Sequence, residues 1–212
     1  MKLKIDLHVH TVNSKDGHIS LKHLPKIISL KKLNGVAVTD HNHLTKIKFK
    51  EALIIPGVEV TTKEGHLIAL GVENLIKKGL NAIDAIEKIH EESGLAIAPH
   101  PYDFMTSRLN PFKLKGKLDA IETINSSILT FKLSSLLAEK AALKLSLPKV
   151  AGSDAHIPEA VGNAYTIIEV SSSSIEEVLK AIKNGRTEPY GKPTLLTNKI
   201  KKIILDFKRF NL

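Results

Sequence analysis

The sequence predicts an α/β barrel of the TIM type in a single domain, and three observations lead there. Short apolar runs of strand type alternate along the chain with stretches of helical periodicity, the pattern of parallel β/α units. About seven such units share roughly 200 residues, the size of a small barrel. Histidine or a carboxylate closes one strand after another, and barrels of this type carry their chemistry at the C-terminal ends of their strands.

The first strand ends in Asp6-Leu7-His8-Val9-His10. Leu3, Ile5, Leu7 and Val9 alternate with Lys4, Asp6, His8 and His10, which predicts one apolar face and a second face carrying both imidazoles. Two ring nitrogens so placed suit one cation. Thr11 to Ser20 is a polar loop containing Asp16-Gly17 and His18. Leu21 to Leu33 has helical spacing, with Ser20 available as its cap and Pro25 tolerated in its first turn. Gly35 to Thr39 is an apolar strand ending in Asp40-His41, and Leu53 to Glu59 is another ending in a carboxylate. His66 to Val72 reads as a strand, and Asn81 to Ser93 as a helix stopped by Gly94. Leu95 to Pro99 is a strand that ends in His100.

The pattern then repeats. Asp119 to Thr123 is a strand, Thr130 to Leu145 a helix, and Lys149 to Gly152 a strand leading into Ser153-Asp154-Ala155-His156. Ala164 to Val170 is a strand, and Ser174 to Asn184 a helix closed by Gly185. His100 is expected to share a strand face with Ala96 and Ala98, and Asp154 with Val150 and Gly152. Small residues should therefore line the barrel beneath the site, with bulky aliphatics outside. The barrel is expected over 1–194. Over 195–212, Ile200, Ile203, Ile204, Phe207 and Phe210 recur at helical spacing among Lys199, Lys201, Lys202, Lys208 and Arg209. This predicts a basic amphipathic helix that lays its apolar face on the same domain and leaves its lysines solvated, with a dedicated anion-binding role as the alternative.

No cysteine occurs, which excludes disulfides, thiolate metal sites and cysteine nucleophiles and leaves any metal to His, Asp and Glu. Those donors suit zinc, manganese or iron. No apolar run is long enough to span a bilayer and the chain opens directly on a strand, so a soluble, cytoplasmic protein without a membrane partner is expected. A net charge of +9 favours phosphorylated or polyanionic partners.

Six motifs follow one another: Asp6-x-His8-x-His10-Thr11, Ser14-x-Asp16-Gly17, Thr39-Asp40-His41, Gly57-Val58-Glu59, His100-Pro101 and Gly152-Ser153-Asp154-x-His156. In this order they resemble the PHP (polymerase and histidinol phosphatase) superfamily. The resemblance implies a distorted TIM-like (β/α)7 barrel with two or three divalent metal ions at its C-terminal mouth. It implies that His8, His10, Glu59 and Asp154 hold one ion, and that Asp16, His41 and His156 hold a second. His66 and His100 would hold a third, with Glu59 bridging to the first. Lys15 stands inside the Ser-Asp-Gly turn, so His18 is an alternative to Asp16.

Asp6 and Asp40 are expected to orient His8 and His41 through the other ring nitrogens, with a structural capping role as the alternative. Glu122 and Asn125 fit either a supporting or a substrate-facing role. Asn125 and Arg108, whose guanidinium offers phosphate a planar fork, are the substrate candidates. His18 and His43 in polar loops, and His23 and His90 in helical segments, read as surface histidines.

The implied function is a metal-dependent phosphoesterase that hydrolyses phosphate esters with a metal-activated hydroxide. A nucleotide or short oligonucleotide is the first substrate expected, and a histidinol-phosphate-type small-molecule phosphatase is the alternative. The rivals are a metal-dependent amidohydrolase and a non-catalytic RNA-binding or scaffold barrel. Retention of every expected ligand type argues against the scaffold.

Overall fold

In the computed structural model, residues 1–105 and 109–210 are described. The chain runs β1 (Lys2–Val9), α1 (Leu24–Leu30), β2 (Gly35–Val38), β3 (Leu53–Thr62), β4 (Gly65–Leu70), α2 (Ala82–Glu91) and β5 (Leu95–Ala98). It continues through β6 (Ala120–Asn125), α3 (Phe131–Leu145), β7 (Lys149–Gly152), β8 (Ala164–Glu169), α4 (Ile175–Lys183), β9 (Thr187–Gly191) and α5 (Leu196–Phe210). The strands form one sheet in the order β7-β6-β5-β4-β3-β2-β1-β8-β9. It curls until β7 meets β1, where Ala155 bridges Val9 in parallel and the Asp154 N–H donates to the His8 carbonyl at 2.8 Å. The distorted TIM-like barrel is what the chain forms.

The distortion lies in strand direction. β1–β2–β3 and β5–β6–β7 are parallel, but β4 runs against both β3 and β5, and β8 against β1 and β9. No helix joins β2 to β3 or β3 to β4; the second of these connections is a hairpin. β9 escaped the sequence reading because it is a half-exposed edge strand carrying Pro189, with little apolar alternation to betray it. The Asn81 and Ser174 side chains cap α2 and α4 by accepting backbone N–H groups. Ser20 makes no such bond; a 3-10 turn over Leu21–His23 intervenes, and α1 starts at Leu24 with Pro25 in its first turn.

The barrel interior is not lined by small residues. Leu3, Ile5, Leu7, Ile55, Ile68, Leu70, Leu95, Ile97, Val150 and Ile168 fill it, and α4 joins the same cluster through Val178, Ala181 and Ile182. Ala96 and Ala98 pack the other way, with residues of α2 and α3, so on β5 the expected faces are reversed. Large aliphatics pack the barrel as a solid core, and small residues let α2 and α3 approach the sheet closely.

Two register shifts place the mouth residues. In β1, Asp6 pairs with Val36 but Val9 with Val38, so an extra residue between them switches the inward face. Leu3, Ile5 and Leu7 point into the barrel, whereas Val9 lies in the cluster around α1. His8 and His10 thus turn to the mouth above Leu7, which simple alternation does not predict. β6 repeats the device between Glu122 and Ile124. Bulges at a barrel rim re-aim side chains in this way.

Gly152 lies where β7 crosses β1. A Cβ there would fall 2.3 Å from the His8 Cβ and 2.7 Å from the Glu122 carboxylate. Gly152→Ala is expected to destabilise the fold by about 1–3 kcal/mol, the usual cost of overpacking, and to displace His8. Thermal melting and metal analysis of one preparation check this; a variant that melts like the parent with its metal intact contradicts the packing.

Candidate metal centre

Glu59, near the middle of β3, is buried, and its carboxylate is the hub of the mouth. One oxygen lies 3.0 Å from His66 Nδ1 and 2.9 Å from His100 Nε2. The other lies 3.0 Å from His41 Nδ1, 3.3 Å from His10 Nε2 and 3.4 Å from His8 Nε2. Asp154 Oδ1 adds contacts of 3.2 Å to His10, 3.6 Å to His8 and 3.5 Å to His156. Asp16 completes the ring, 3.2 Å from His156 and 3.9 Å from His41.

Among the described residues, four groups of ligand atoms lie close enough together to take a cation: His8, His10 and Glu59; His8, His100 and Asp154; Glu59, His66 and His100; and His10, His41 and His156. All nine ligands expected from sequence line this one mouth. In the last group His10 stands where Asp16 was expected, with Asp16 beside it. His18 turns away to Asp206, 2.9 Å distant, and does not replace Asp16.

The backbone pays for this convergence. His100 and Asp154 take φ values of 29° and 52°, a region that costs a non-glycine residue on the order of 1–3 kcal/mol. The twist at His100 brings its ring into the mouth although Ala96 and Ala98 of β5 face outward.

Supporting contacts differ from those expected. Asp6 and Asp40 touch no imidazole. Asp6 accepts from the Ser153 N–H and hydroxyl and from the Gly162 N–H; burial pushes it up to about 6 against these donors. Asp40 accepts from the Thr11 N–H and from the hydroxyls of Thr11, Ser14 and Thr45. Both carboxylates hold loops. The rings are oriented instead by Glu122, 3.1 Å from His8 Nδ1, and Ser14, 3.1 Å from His10 Nδ1. Glu122 also accepts the His100 N–H and an Asn125 amide hydrogen. Asn125, expected at the substrate, is buried with its amide committed to Glu122, Asp154 and the Ser127 N–H. Arg108 lies outside the described residues. Ser14 stands in one of the six motifs, but its contact with His10 is made by loop geometry that the motif does not reveal.

With no cation between them, rings and carboxylates hold one another charged. Burial opposes the charged ring of His100, but its bond to Glu59 overrides this and holds it up to about 9. His8 is likewise raised against burial by Asp154, Glu122 and Glu59. Burial works against the charged forms of Glu59, Asp154 and Asp16, yet their histidine neighbours keep all three carboxyls well below the usual range. Three buried ligand-type atoms of this set make no hydrogen bond, Asp16 Oδ1, His66 Nδ1 and His100 Nδ1, although His66 Nδ1 stands 3.0 Å from the Glu59 carboxylate. Imidazole and carboxylate ligand atoms gathered in this way fit divalent ions, which accept lone pairs where no proton donor is available.

The comparisons agree with this geometry. Residues 134–187 match a family model described as PHP-associated. The uncharacterised protein MJ0417 of Methanocaldococcus jannaschii is 33% identical over 182 residues, 82% of this chain and 73% of that protein. This chain belongs to the PHP superfamily. Among solved structures, a two-domain protein from Bacteroides vulgatus containing a PHP-like metal-dependent phosphoesterase matches with a TM-score of 0.71 at 20% identity, over 91% of this chain and 65% of that one. Endonuclease Q, in complex with a 27-mer duplex bearing an abasic lesion at its active site, matches at 0.70 and 22% identity, over 91% and 60%. At these identities the likeness is one of fold, and the PHP chain spans less than two thirds of either structure's chain.

Two expectations follow for this PHP mouth. Glu122→Gln should keep the fold but weaken metal binding roughly 10–100-fold, the usual effect of losing the carboxylate behind a ligating histidine; unchanged affinity on metal titration contradicts the role. A ring raised to about 9 from 6.5 stabilises the fold fully below pH 6.5 and loses that contribution as pH rises towards 9. Metal-stripped protein should therefore melt at lower temperature as pH rises through this window, and a flat or rising profile contradicts the ion pairs.

Proposed function

We propose that this PHP protein is a metal-dependent phosphoesterase and that the nine residues at the barrel mouth hold its ions. The observation that carries the reading is the Glu59 carboxylate with five imidazole nitrogens within 3.4 Å. A lone salt bridge does not need five rings, whereas a bridging ligand between ions does. His8, His10, Glu59 and Asp154 would hold the first ion, and Asp16, His41 and His156 the second. His66 and His100 would hold a third, sharing Glu59. Zinc, manganese and iron suit these donors.

Divalent ions held there would supply a nucleophile from water near neutral pH and neutralise phosphoryl oxygens. The chain's own part is positional. Glu122 and Ser14 fix the His8 and His10 rings, and Asn125 fixes Asp154. The neighbouring cavity, about 410 Å³, reaches Asp16, His41, Glu59, His66, Asp154 and His156, room for a substrate the size of a nucleotide. The net charge of +9 favours an anionic ester. A nucleotide or a short oligonucleotide is the substrate class we infer; that a protein of the same fold, Endonuclease Q, takes a nucleic-acid duplex at its active site is compatible with it. Among the described residues no helix is long and apolar enough to cross a membrane.

Purified protein should contain two or three divalent ions and hydrolyse p-nitrophenyl phosphate. Asp154→Asn should keep the fold and lose metal, with activity falling by more than the roughly 10–100-fold typical of a residue that only orients a ligand. Near-parental turnover at saturating metal would remove Asp154 from the site. Because Glu59 is shared, Glu59→Gln should lose more than one equivalent of metal and His66→Ala about one; equal losses argue against bridging.

A further inference from the structure

The helix α5 docks the wrong way round for simple packing. Ile200, Ile203 and Ile204 are largely exposed, while Leu205 packs against the apolar cluster around α1, so the apolar contact with the body of the domain falls on Leu205 and not on these isoleucines. The half-buried residues are Asn198, Lys199, Lys202, Leu205 and Asp206, a stripe at helical spacing that is polar apart from Leu205. This polar face covers the mouth. Arg209 donates to the carbonyls of Val12 and Gly17, and Lys199 donates to those of Ser127 and Ile128. A helix that leaves its isoleucines in water gains little from burial, so its inward lysines call for another reason.

Lys202 supplies one. Its ammonium lies 3.0 Å from Asp16 and 2.9 Å from Asp206, and Asp206 is held in turn by His18 at 2.9 Å. Lys202 and Lys199 are the cations lining the cavity among the described residues, and Lys199 is committed to two carbonyls. An ammonium has three N–H donors; Asp16 and Asp206 take two, which leaves one for the cavity. Beside it the wall turns apolar, through Ile203, Ile128, Leu129, Ile157 and Met105.

We propose that α5 is the substrate-recognition element of this site, with Lys202 holding a phosphoryl oxygen of a phosphate monoester and the adjoining isoleucines bordering its leaving group. The proposal rests on the phosphoesterase reading for its substrate. A monoester presents three non-bridging oxygens and two charges, one oxygen more than a diester. Lys202 offers that oxygen a charge-assisted donor. The site then favours small monoesters, such as a nucleotide or a terminal phosphate, over internal diesters. Asp206 and His18 act as positioning residues that keep the ammonium in place.

The test compares metal-loaded parent, Lys202→Met, Lys202→Arg and Lys201→Met, the last altering a lysine that pairs outward with Glu159. Steady-state kinetics on p-nitrophenyl phosphate and bis(p-nitrophenyl) phosphate are read beside the rise in melting temperature produced by inorganic phosphate. Lys202→Met should keep its metal, raise KM for the monoester roughly tenfold or more, as loss of a charge-assisted bond does, and change the diester by under about threefold. The phosphate-induced rise should shrink, Lys202→Arg should recover part of it, and Lys201→Met should match the parent. If Lys202→Met binds phosphate like the parent, or loses metal instead of phosphate affinity, the proposal is overturned. If no ester is hydrolysed, the phosphoesterase reading fails, and the melting comparison still decides whether Lys202 binds phosphate.

Discussion

The structure depends on one carboxylate. Glu59 is buried at the centre of the barrel mouth and touches rings from β1, β4 and the segments that follow β2 and β5. A buried, ionised carboxylate is stable only where opposite charge or donors surround it, and here histidines do so on every side. Those rings are raised in turn by the carboxylates, so neither set is at ease without the other. Divalent ions held there would take the ring lone pairs and release the protons.

The scaffold is bent to serve that convergence. Register shifts in β1 and β6, left-handed backbone at His100 and Asp154, and a glycine where β7 meets His8 all lie within the same rim. The remaining barrel is conventional, with aliphatic side chains filling the interior and α4 packed into the same core. Strain at the rim is supported by that core, as is usual where a site over-determines its backbone.

Much of this was legible in the residues. Apolar runs ending in His, Asp or Glu located the strands and the mouth, because a ligand at a strand end needs no tertiary knowledge to be noticed. What escaped depended on backbone detail. Alternation in β1 suggested one face for Leu3 to Val9, and a single extra residue divided that set. Asp6 and Asp40 sit beside histidines in sequence, yet their oxygens are claimed by loop N–H and hydroxyl groups that come together only in three dimensions. Glu122 was legible as a supporting residue and Ser14 as part of a motif, but which ring each holds, His8 and His10, is settled only by the fold. The helix α5 was legible as amphipathic, but periodicity does not say which face docks. Its inward stripe is largely polar and meets Asp16 and backbone carbonyls at the mouth.

Anomalous diffraction from crystals grown with manganese tests the central claim most directly, since it locates each ion relative to Glu59 without relying on turnover. The account predicts at least two peaks in the mouth, one of them in contact with His8, His10 and Asp154, and two sharing the Glu59 carboxylate. A single peak, or peaks that leave Glu59 paired only with protonated histidines, would contradict it.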